Sequence, residues 1–252
     1  VYIGLNNEDK EMVSVKTLFS DFAEDATYRQ QFKDEANAYR TLNHPNIVRY
    51  VDSGFDKGVH FIATEFVKGK TLSELTNGFK LPVDMVLKIM RHLADGIAHA
   101  HDKGILHCDL RPDNIMINEE GIIKVVDFGN VKCIGAKAYI DANQRLRSPR
   151  YSSPEQNQGQ DLDERSDLYG LGLLFYEMLT GMGALNGHSL LEITAFQMKC
   201  DFILPSLLSK AVPSVVDEVV MKLLERERNN RHPSAFALIE DIMELKQKLG
   251  QA

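Results

Sequence analysis

The sequence has no tryptophan and only three cysteines among its 252 residues. Cys108, Cys133 and Cys200 form neither a CxxC pair nor an even set, which excludes the disulfide framework that small secreted domains use. We therefore expect reduced thiols and a cytoplasmic location, or a place in the cytoplasmic part of a longer, membrane-anchored protein. No base partner is specified for Cys108, so we interpret it as a small residue tolerated there rather than as a nucleophile.

The chain also lacks an excess of positive charge and a long hydrophobic run. Its 29 Lys and Arg against 36 Asp and Glu give a net charge of −7, which disfavours nucleic acid or an anionic membrane as the main partner. The longest apolar run, 168–182, is interrupted by Glu177 and is too short to cross a bilayer, so we expect no membrane segment in this chain. No signal peptide is visible, and because the first residue is Val1 rather than Met, we expect further sequence upstream.

The apolar residues that are present, 44% of the chain, are enough for the core of one large domain or of two lobes. The first third has strand patterns at EMVSVKTL, NIVRYVDSG and VHFIATEFV, and one helix at QQFKDEANAYRTL. From Leu72 onward helices dominate around two short strands that flank a turn at 118–121. The longer helices are predicted at VLKIMRHLADGIAHAHDKG, 168–180, 215–224 and 233–249. The pattern predicts an α+β protein with a strand-rich lobe at 1–67 and a helix-rich lobe at 68–252.

Five charged or amide side chains do not fit a surface pattern. Lys16 ends an apolar strand and Glu35 lies on the inner face of a helix. Asp109 and Asn114 belong to the loop HCDLRPDN, and Asp127 follows the strand IIKVV. Asn114 and Asp127 offer oxygen ligands to a hard cation such as Mg²⁺, and a lysine held by a glutamate suits a fixed cation on phosphate. The remaining Asp109 suits a group that orients and deprotonates a hydroxyl, which completes the parts of a phosphoryl-transfer site.

These residues resemble the protein-kinase signature set in order and in spacing. VSVK is similar to the V-A-I-K strand, FKDEA to the helix with the partner glutamate, and HCDLRPDN to H-R-D-L-K-P-x-N, while DFG at 127–129 is identical. SPE at 153–155, SDLYGLG and NNRHPSA match the later elements of the family. The resemblance covers essentially the whole chain and is closest to bacterial Hanks-type serine/threonine kinases. It implies a bilobal protein-kinase-like fold with a small β-rich N-lobe and a large helical C-lobe.

The resemblance also implies ATP and Mg²⁺ as cofactors and a protein substrate with a Ser or Thr acceptor. Lys16 would hold the α- and β-phosphates, and Glu35 would hold Lys16. Asn114 and Asp127 would bind Mg²⁺. Asp109 would accept the proton of the substrate hydroxyl, and a further residue of the loop, Arg111, would reach the γ-phosphate.

The adenine pocket and the internal supports follow from the same resemblance. Thr64 would be the gatekeeper, Glu65 and Val67 would offer backbone hydrogen bonds to adenine, and Val1, Ser14 and Met116 would enclose the base. The resemblance further implies an internal stack of four side chains, His107, Phe128, Tyr39 and Tyr50. It also implies a buried ion pair between Glu155 and Arg231. Asp167 would support the catalytic loop, and Ser148 would place a hydroxyl near the acceptor.

The sequence departs from the family pattern at the start of the N-lobe. The glycine-rich loop and the first strand are missing, and Val1 and Tyr2 look like the residues that follow that loop. We expect truncation rather than true loss, and we expect the chain without this loop to bind ATP poorly.

A second departure concerns phosphorylation. Cys108 replaces the arginine that normally grips a phosphate on the activation segment, and the segment 130–147 contains no Ser and no Thr. We therefore expect that activity does not depend on phosphorylation of this segment. Treatment with a protein phosphatase should leave the activity unchanged, and a large drop would contradict the expectation.

Two alternatives to an active serine/threonine kinase remain open. A pseudokinase would use the same fold as a binding or scaffolding module. A small-molecule phosphotransferase of the aminoglycoside-kinase type also lacks the arginine before its catalytic aspartate. The complete set of five side chains disfavours the first alternative, and the SPE and SDLYGLG elements, which build a platform for protein substrates, disfavour the second.

Overall fold

The N-lobe is built on a four-stranded antiparallel sheet. In the computed structural model, which describes residues 1–18, 25–129, 131–136, 149–185, 189–199 and 201–250, its strands have the order β1-β2-β4-β3. They are β1 (Tyr2–Leu5), β2 (Met12–Thr17), β3 (Tyr50–Asp56) and β4 (Val59–Glu65). Helix α1 (Ala26–Thr41) begins after Asp25, whose carboxylate accepts a hydrogen bond from the Thr27 N–H at 2.7 Å. This sheet and helix confirm the strand-rich first lobe.

The tight turn between β3 and β4 explains the register of this hairpin. Lys57 and Gly58 both have positive φ angles, 47° and 85°. Two consecutive residues with positive φ form the kind of two-residue turn that matches the right-handed twist of paired strands. Asp56 therefore pairs with Val59, and Thr64 lies opposite Tyr50 at the far end of the hairpin.

The C-lobe begins where the chain joins a second sheet. Strand β5 (Gly69–Thr71) pairs with β7 (Ile115–Asn118), which pairs with β8 (Ile123–Val125), and a short β6 (Ile105–Leu106) pairs with β9 (Lys132–Cys133). The helices are α2 (Leu72–Thr76), α3 (Val83–Asp102), α4 (Pro154–Asn157), α5 (Glu164–Thr180), α6 (Leu190–Lys199), α7 (Pro205–Leu208), α8 (Ser214–Leu223) and α9 (Ala235–Lys248). Single 3-10 turns lie at Pro112–Asn114, Pro149–Tyr151 and Arg228–Asn230.

The core of the C-lobe forms where α3 packs against α5 and α9. The apolar positions predicted for the inner face of α3 are all buried: Val86, Ile89, Leu93 and Ile97. Helix α5 is buried on nearly all sides, from Ser166 to Tyr176 without interruption. It is therefore the central helix of the lobe. Within the described residues, no helix is long and apolar enough to cross a bilayer.

Several boundaries differ from the sequence prediction. β1 and β5 were not predicted, and β3 begins at Tyr50, because Ile47 instead forms an isolated parallel bridge with Val125 of the C-lobe. Pro233 does not open the last helix. Ser234 is its N-cap and accepts a hydrogen bond from the Ala237 N–H, so the proline precedes the cap.

The predicted ion pair between Glu155 and Arg231 is present and buried. The guanidinium of Arg231 donates to both carboxylate oxygens of Glu155, at 2.7 and 2.9 Å, and both residues are only 3% exposed. Ser166 adds a hydrogen bond to the same carboxylate at 2.8 Å. The pair ties α4 to the loop that precedes α9.

Replacing Glu155 with glutamine is expected to lower the free energy of unfolding by about 3–5 kcal/mol, because it leaves the guanidinium of Arg231 buried without a counter-charge. Urea unfolding at neutral pH measures the change. The matched control is Glu11→Gln, since the Glu11–Arg49 pair is exposed and its loss should be hardly measurable. Equal effects of the two substitutions would contradict the prediction.

The contribution of the pair should also depend on pH. Burial raises the pKa of Glu155, but the hydrogen bonds and the charge of Arg231 outweigh burial and hold the pKa below its usual value of 4.5. Because the folded-state pKa lies below the unfolded-state pKa, the stabilisation is complete above about pH 4.5 and is lost as the pH falls through the folded-state pKa. The stability difference between wild type and Glu155→Gln should therefore narrow in acid.

Candidate active site

Three predicted side chains form one charged cluster. The Nζ of Lys16 donates to both carboxylate oxygens of Glu35, at 2.8 and 2.9 Å, and to Oδ1 of Asp127 at 2.7 Å. Burial alone would lower the pKa of Lys16, but the charges of Glu35 and Asp127 outweigh it and raise the pKa above its usual value. The lysine is therefore a permanent cation held between two carboxylates.

Local structure explains how each member reaches the cluster. Glu35 lies on the buried face of α1 with Phe32 and Tyr39, at helical spacing, and is itself only 3% exposed. Asp127 lies two residues beyond the end of β8 and has a φ of 60°, and its carboxylate also accepts from the Gly129 N–H at 3.2 Å. A Cβ at Gly129 would lie 2.7 Å from the Nζ of Lys16 and 2.8 Å from Oδ1 of Asp127. Only glycine lets the backbone approach this cluster so closely.

The catalytic-type loop places Asp109 beside Asn114. The amide of Asn114 donates to the Asp109 carbonyl at 2.8 Å and to Oδ2 of Asp109 at 3.3 Å. The Val126 N–H donates to the Asn114 carbonyl at 2.9 Å, which brings Asn114 next to the strand end that carries Asp127. Arg111 forms an ion pair with Asp113 on the same loop, with its Nε 2.9 Å from Oδ2. The loop therefore joins Asp109 to the charged cluster through Asn114.

The support predicted for the loop is also present. The two carboxylate oxygens of Asp167 accept from the N–H groups of His107 and Cys108, at 2.9 and 2.8 Å. Nε2 of His101 lies 2.9 Å from Asp167, a contact that the sequence analysis missed. Burial raises the pKa of Asp167, but hydrogen bonds and the charge of His101 outweigh it, so the pKa stays below its usual value. The carboxylate therefore remains ionised and holds the loop backbone.

Three members of the predicted stack are in contact. The ring of Phe128 lies edge-on to His107 at 4.6 Å and to Tyr39 at 5.4 Å between centroids. Tyr39 also accepts a hydrogen bond from the Phe128 N–H at 3.2 Å. Tyr50, the fourth member, packs at the edge of the core, where Arg40 lies over its ring. The stack ties α1, and with it Glu35, to both loops of the site.

A cavity of about 270 Å³ opens beside the cluster and is lined from both lobes. Every residue predicted to bind the nucleotide lines it: Val1, Ser14, Lys16, Thr64, Glu65, Val67 and Met116. Glu35, Asn114 and Asp127 line it as well, whereas Asp109 and Arg111 lie on the adjoining loop. The sequence prediction and the cavity therefore select the same surface.

Hydrogen bonds fix the chain at the rear of this cavity. The Glu65 N–H donates to the Arg49 carbonyl at 2.9 Å. The side chain of Glu65 is held by Lys124 at 2.6 Å and by the Arg49 N–H at 2.8 Å. These bonds anchor the connection between the lobes to β8.

The residues present fit a divalent cation that also binds phosphate. Within the described ranges, no group of three or more His, Cys, Asp or Glu side chains could hold a metal by itself. Asn114 and Asp127 provide two hard oxygen ligands on one cavity wall, and the hydrogen bonds of the Asn114 amide nitrogen leave its Oδ1 as the ligand atom. Mg²⁺ commonly takes one or two protein ligands and completes its shell with water and phosphate oxygens.

Two predictions involve other parts of the loop region. Ser148 and most of the segment 130–147 lie outside the described residues. Cys108 is described, and burial followed by the charge of Asp167 raises the pKa of its thiol well above the usual range. A neutral, half-buried thiol is a poor nucleophile, in agreement with the interpretation of Cys108 as a tolerated small residue.

One supporting side chain was missed by the sequence analysis. Gln156 donates from Nε2 to the Cys108 carbonyl at 2.8 Å, across 48 positions of sequence. The sequence does indicate a local role for Gln156, because SPEQ at 153–156 fits the Ser-x-x-Gln capping box that starts a helix. The capping box predicts α4, but it does not indicate where the other end of the amide points.

The sequence matches the protein kinase domain family over residues 1–246. It is 34% identical over 247 residues to a probable serine/threonine-protein kinase of Clostridium perfringens, a match that covers 98% of this chain and 36% of that protein. It is 34% identical over 235 residues to serine/threonine-protein kinase PrkC of Bacillus subtilis (93% of this chain, 36% of that protein). Against serine/threonine-protein kinase PknL of Mycobacterium tuberculosis it is 33% identical over 251 residues (99% and 63%).

The chain thus spans between 36% and 63% of the length of these curated relatives. The match to the family model extends over both lobes and includes every residue of the site described above. The chain belongs to the protein kinase domain family, among relatives that are bacterial serine/threonine-protein kinases.

Proposed function

We propose that this domain transfers the γ-phosphate of ATP to Ser or Thr hydroxyls of a protein substrate. The observation that carries the proposal is the cluster of Lys16, Glu35 and Asp127 on the wall of one cavity, joined through Asn114 to Asp109. The family and the names of the relatives imply ATP as donor and protein as acceptor. The cluster supplies what phosphoryl transfer requires, which is positioning and charge neutralisation.

The cavity suits a nucleotide with its base at the rear and its phosphates toward the cluster. Val1, Ser14 and Met116 would enclose adenine, with Thr64 at the rear, and the backbone of Glu65 and Val67 would hydrogen-bond its edge. Lys16 would neutralise the α- and β-phosphates while Glu35 keeps its ammonium in place. The nucleotide would therefore lie between the two lobes.

The transfer itself would use the loop beside the cavity. Asp109, held by Asn114, would orient the acceptor hydroxyl and take up its proton as the phosphate is transferred. Arg111 would leave its ion pair with Asp113 and place its positive charge near the γ-phosphate instead. Asn114 and Asp127 would hold Mg²⁺, which when bound neutralises charge on the phosphate oxygens.

Two other functions explain fewer of the observations. A pseudokinase scaffold has no chemical need for Asp109 and Asn114 beside the Lys16 cluster. A small-molecule phosphotransferase has no need for the buried Glu155–Arg231 pair, which anchors the segment that forms a protein-substrate platform in the family. The proposal for a protein kinase requires both features.

A phosphate-transfer assay distinguishes these functions. The full-length protein is incubated with γ-labelled ATP and Mg²⁺ and with peptide libraries that fix Ser, Thr or Tyr as the acceptor. We expect transfer to the Ser and Thr libraries, little transfer to the Tyr library, and none after chelation of the metal. ATP binding without transfer would favour the scaffold, and transfer to an aminoglycoside but to no peptide would favour the small-molecule enzyme.

A further inference from the structure

The backbone just before Asp109 is held in a strained conformation. Cys108 has a φ of 62°, in the left-handed region that residues other than glycine rarely adopt. Such a conformation persists only where neighbouring groups over-determine it. The groups that hold Cys108 therefore also decide where the Asp109 side chain points.

The peptide group that links Cys108 to Asp109 is hydrogen-bonded on both sides. Its N–H, which belongs to Asp109, donates to Nδ1 of His107 at 3.2 Å, and its carbonyl accepts from Nε2 of Gln156 at 2.8 Å. The preceding N–H of Cys108 donates to Asp167 at 2.8 Å. The bond from Gln156 fixes the carbonyl side of the peptide plane that carries Asp109, and the longer bond to His107 fixes its N–H side.

Gln156 is itself locked in place. Its Oε1 accepts from the Ser153 N–H at 2.8 Å, so both ends of the amide are engaged. Rotating the amide by half a turn would place its NH₂ against the Ser153 N–H and its oxygen against the Cys108 carbonyl, which opposes like groups at both contacts. Because Gln156 is the third residue of α4, its reach is set by the helix start rather than by a flexible loop.

We propose that Gln156 is a positioning residue for the transfer reaction, which orients Asp109 by holding the Cys108 carbonyl. The inference rests on the proposed function and assigns a role to a residue outside the catalytic set. Cys108 carries a neutral thiol, so its side chain cannot tie the catalytic loop to a charged partner. Gln156 supplies an uncharged link from the segment that starts α4 to the same loop.

The test compares two substitutions at Gln156 with the same kind of substitution at an exposed glutamine outside the catalytic loop. Gln156→Met keeps the length and removes both bonds, whereas Gln156→Glu keeps the acceptor for the Ser153 N–H and removes the donor to Cys108. The control Gln160→Met removes an exposed amide that donates to Oε1 of Gln158 at 2.7 Å, and it leaves the bond to Cys108 intact. Transfer to the Ser and Thr libraries, KM for ATP and the thermal midpoint are measured for each full-length variant.

We expect both Gln156 variants to lower kcat between about tenfold and a hundredfold, because a small misplacement of a reacting group costs this much. KM for ATP should stay within about twofold of wild type, since neither Cys108 nor Asp109 lines the cavity. Gln160→Met should retain the wild-type kcat at a similar thermal midpoint.

Three results would overturn the positioning role. They are a kcat close to wild type in both Gln156 variants, an equal loss in Gln160→Met, and loss of the fold or of ATP affinity in both Gln156 variants. A wild-type protein that transfers no phosphate at all would instead refute the proposed function, and the role of Gln156 with it.

Discussion

Replacing Asp109 with asparagine is expected to lower kcat for phosphate transfer by about 10³-fold, within the 10²–10⁴ range for loss of a positioned general base. The substitution keeps the size of the side chain and its contact with the Asn114 amide, but it removes the carboxylate that would take the proton. Because Asp109 does not line the nucleotide cavity, the affinity for ATP in the presence of Mg²⁺ should remain near the wild-type value. The loss should therefore appear in kcat and leave KM for ATP almost unchanged.

Single-turnover transfer to a Ser or Thr peptide, together with an equilibrium ATP-binding titration, measures the two quantities separately. The matched control is Asp102→Asn, which removes the same charge at the end of α3, where the carboxylate forms an exposed ion pair with the neighbouring Lys103. Wild-type transfer by Asp109→Asn would show that another group takes the proton. A parallel loss of ATP binding would mean that the substitution has disturbed the cavity.

Asp127→Asn is expected to reduce both the Mg²⁺-dependent part of ATP affinity and kcat, the latter by about 10³-fold, because a bound metal supplies several kcal/mol of charge stabilisation. Asparagine is the appropriate replacement, since Asp127 has a φ of 60° and asparagine tolerates this region better than alanine does. Lys16 would keep both of its bonds to Glu35, so the cluster should not collapse. The variant therefore loses the charged oxygen ligand for the metal and keeps the rest of the cluster.

The metal dependence provides an internal control for this variant. ATP affinity is titrated for wild type and for Asp127→Asn, first with Mg²⁺ and then with a chelator. The two proteins should differ strongly with Mg²⁺ and little without it. Equal ATP affinities of the two proteins in both conditions would show that Asp127 does not bind the metal. A large difference that persists with the chelator would show that Asp127 instead maintains the structure of the cavity.

The spacing of the motifs was sufficient to predict which side chains lie close together around the cavity. Asp109 and Asn114 are five positions apart on a loop that ends in a 3-10 turn, so a local conformation brings them together. Glu35 could be placed on an inner helix face because Phe32, Glu35 and Tyr39 share the helical period. In each case the physical cause lies within a few residues of sequence.

Contacts between distant segments could not be predicted in this way. The Lys16–Asp127 bond joins residues 111 positions apart, and the His101–Asp167 and Gln156–Cys108 bonds span 66 and 48. Each depends on which donor and which acceptor meet once α1, α3 and α4 have packed, and no hydrophobic period carries this information. The pairing of β5 with β7 was missed for the same reason, since three residues are too few to show an alternating pattern.

The sequence by itself therefore determined the chemical groups of this protein, the order of its two lobes and the faces of its longer helices, because local spacing and hydrophobic periodicity encode them. Only the tertiary structure decided that Lys16 bridges two carboxylates, that one cavity collects the residues predicted to bind the nucleotide, and that an amide from α4 holds the backbone before Asp109. Those arrangements depend on hydrogen bonds between groups that become neighbours only when the lobes have folded and packed.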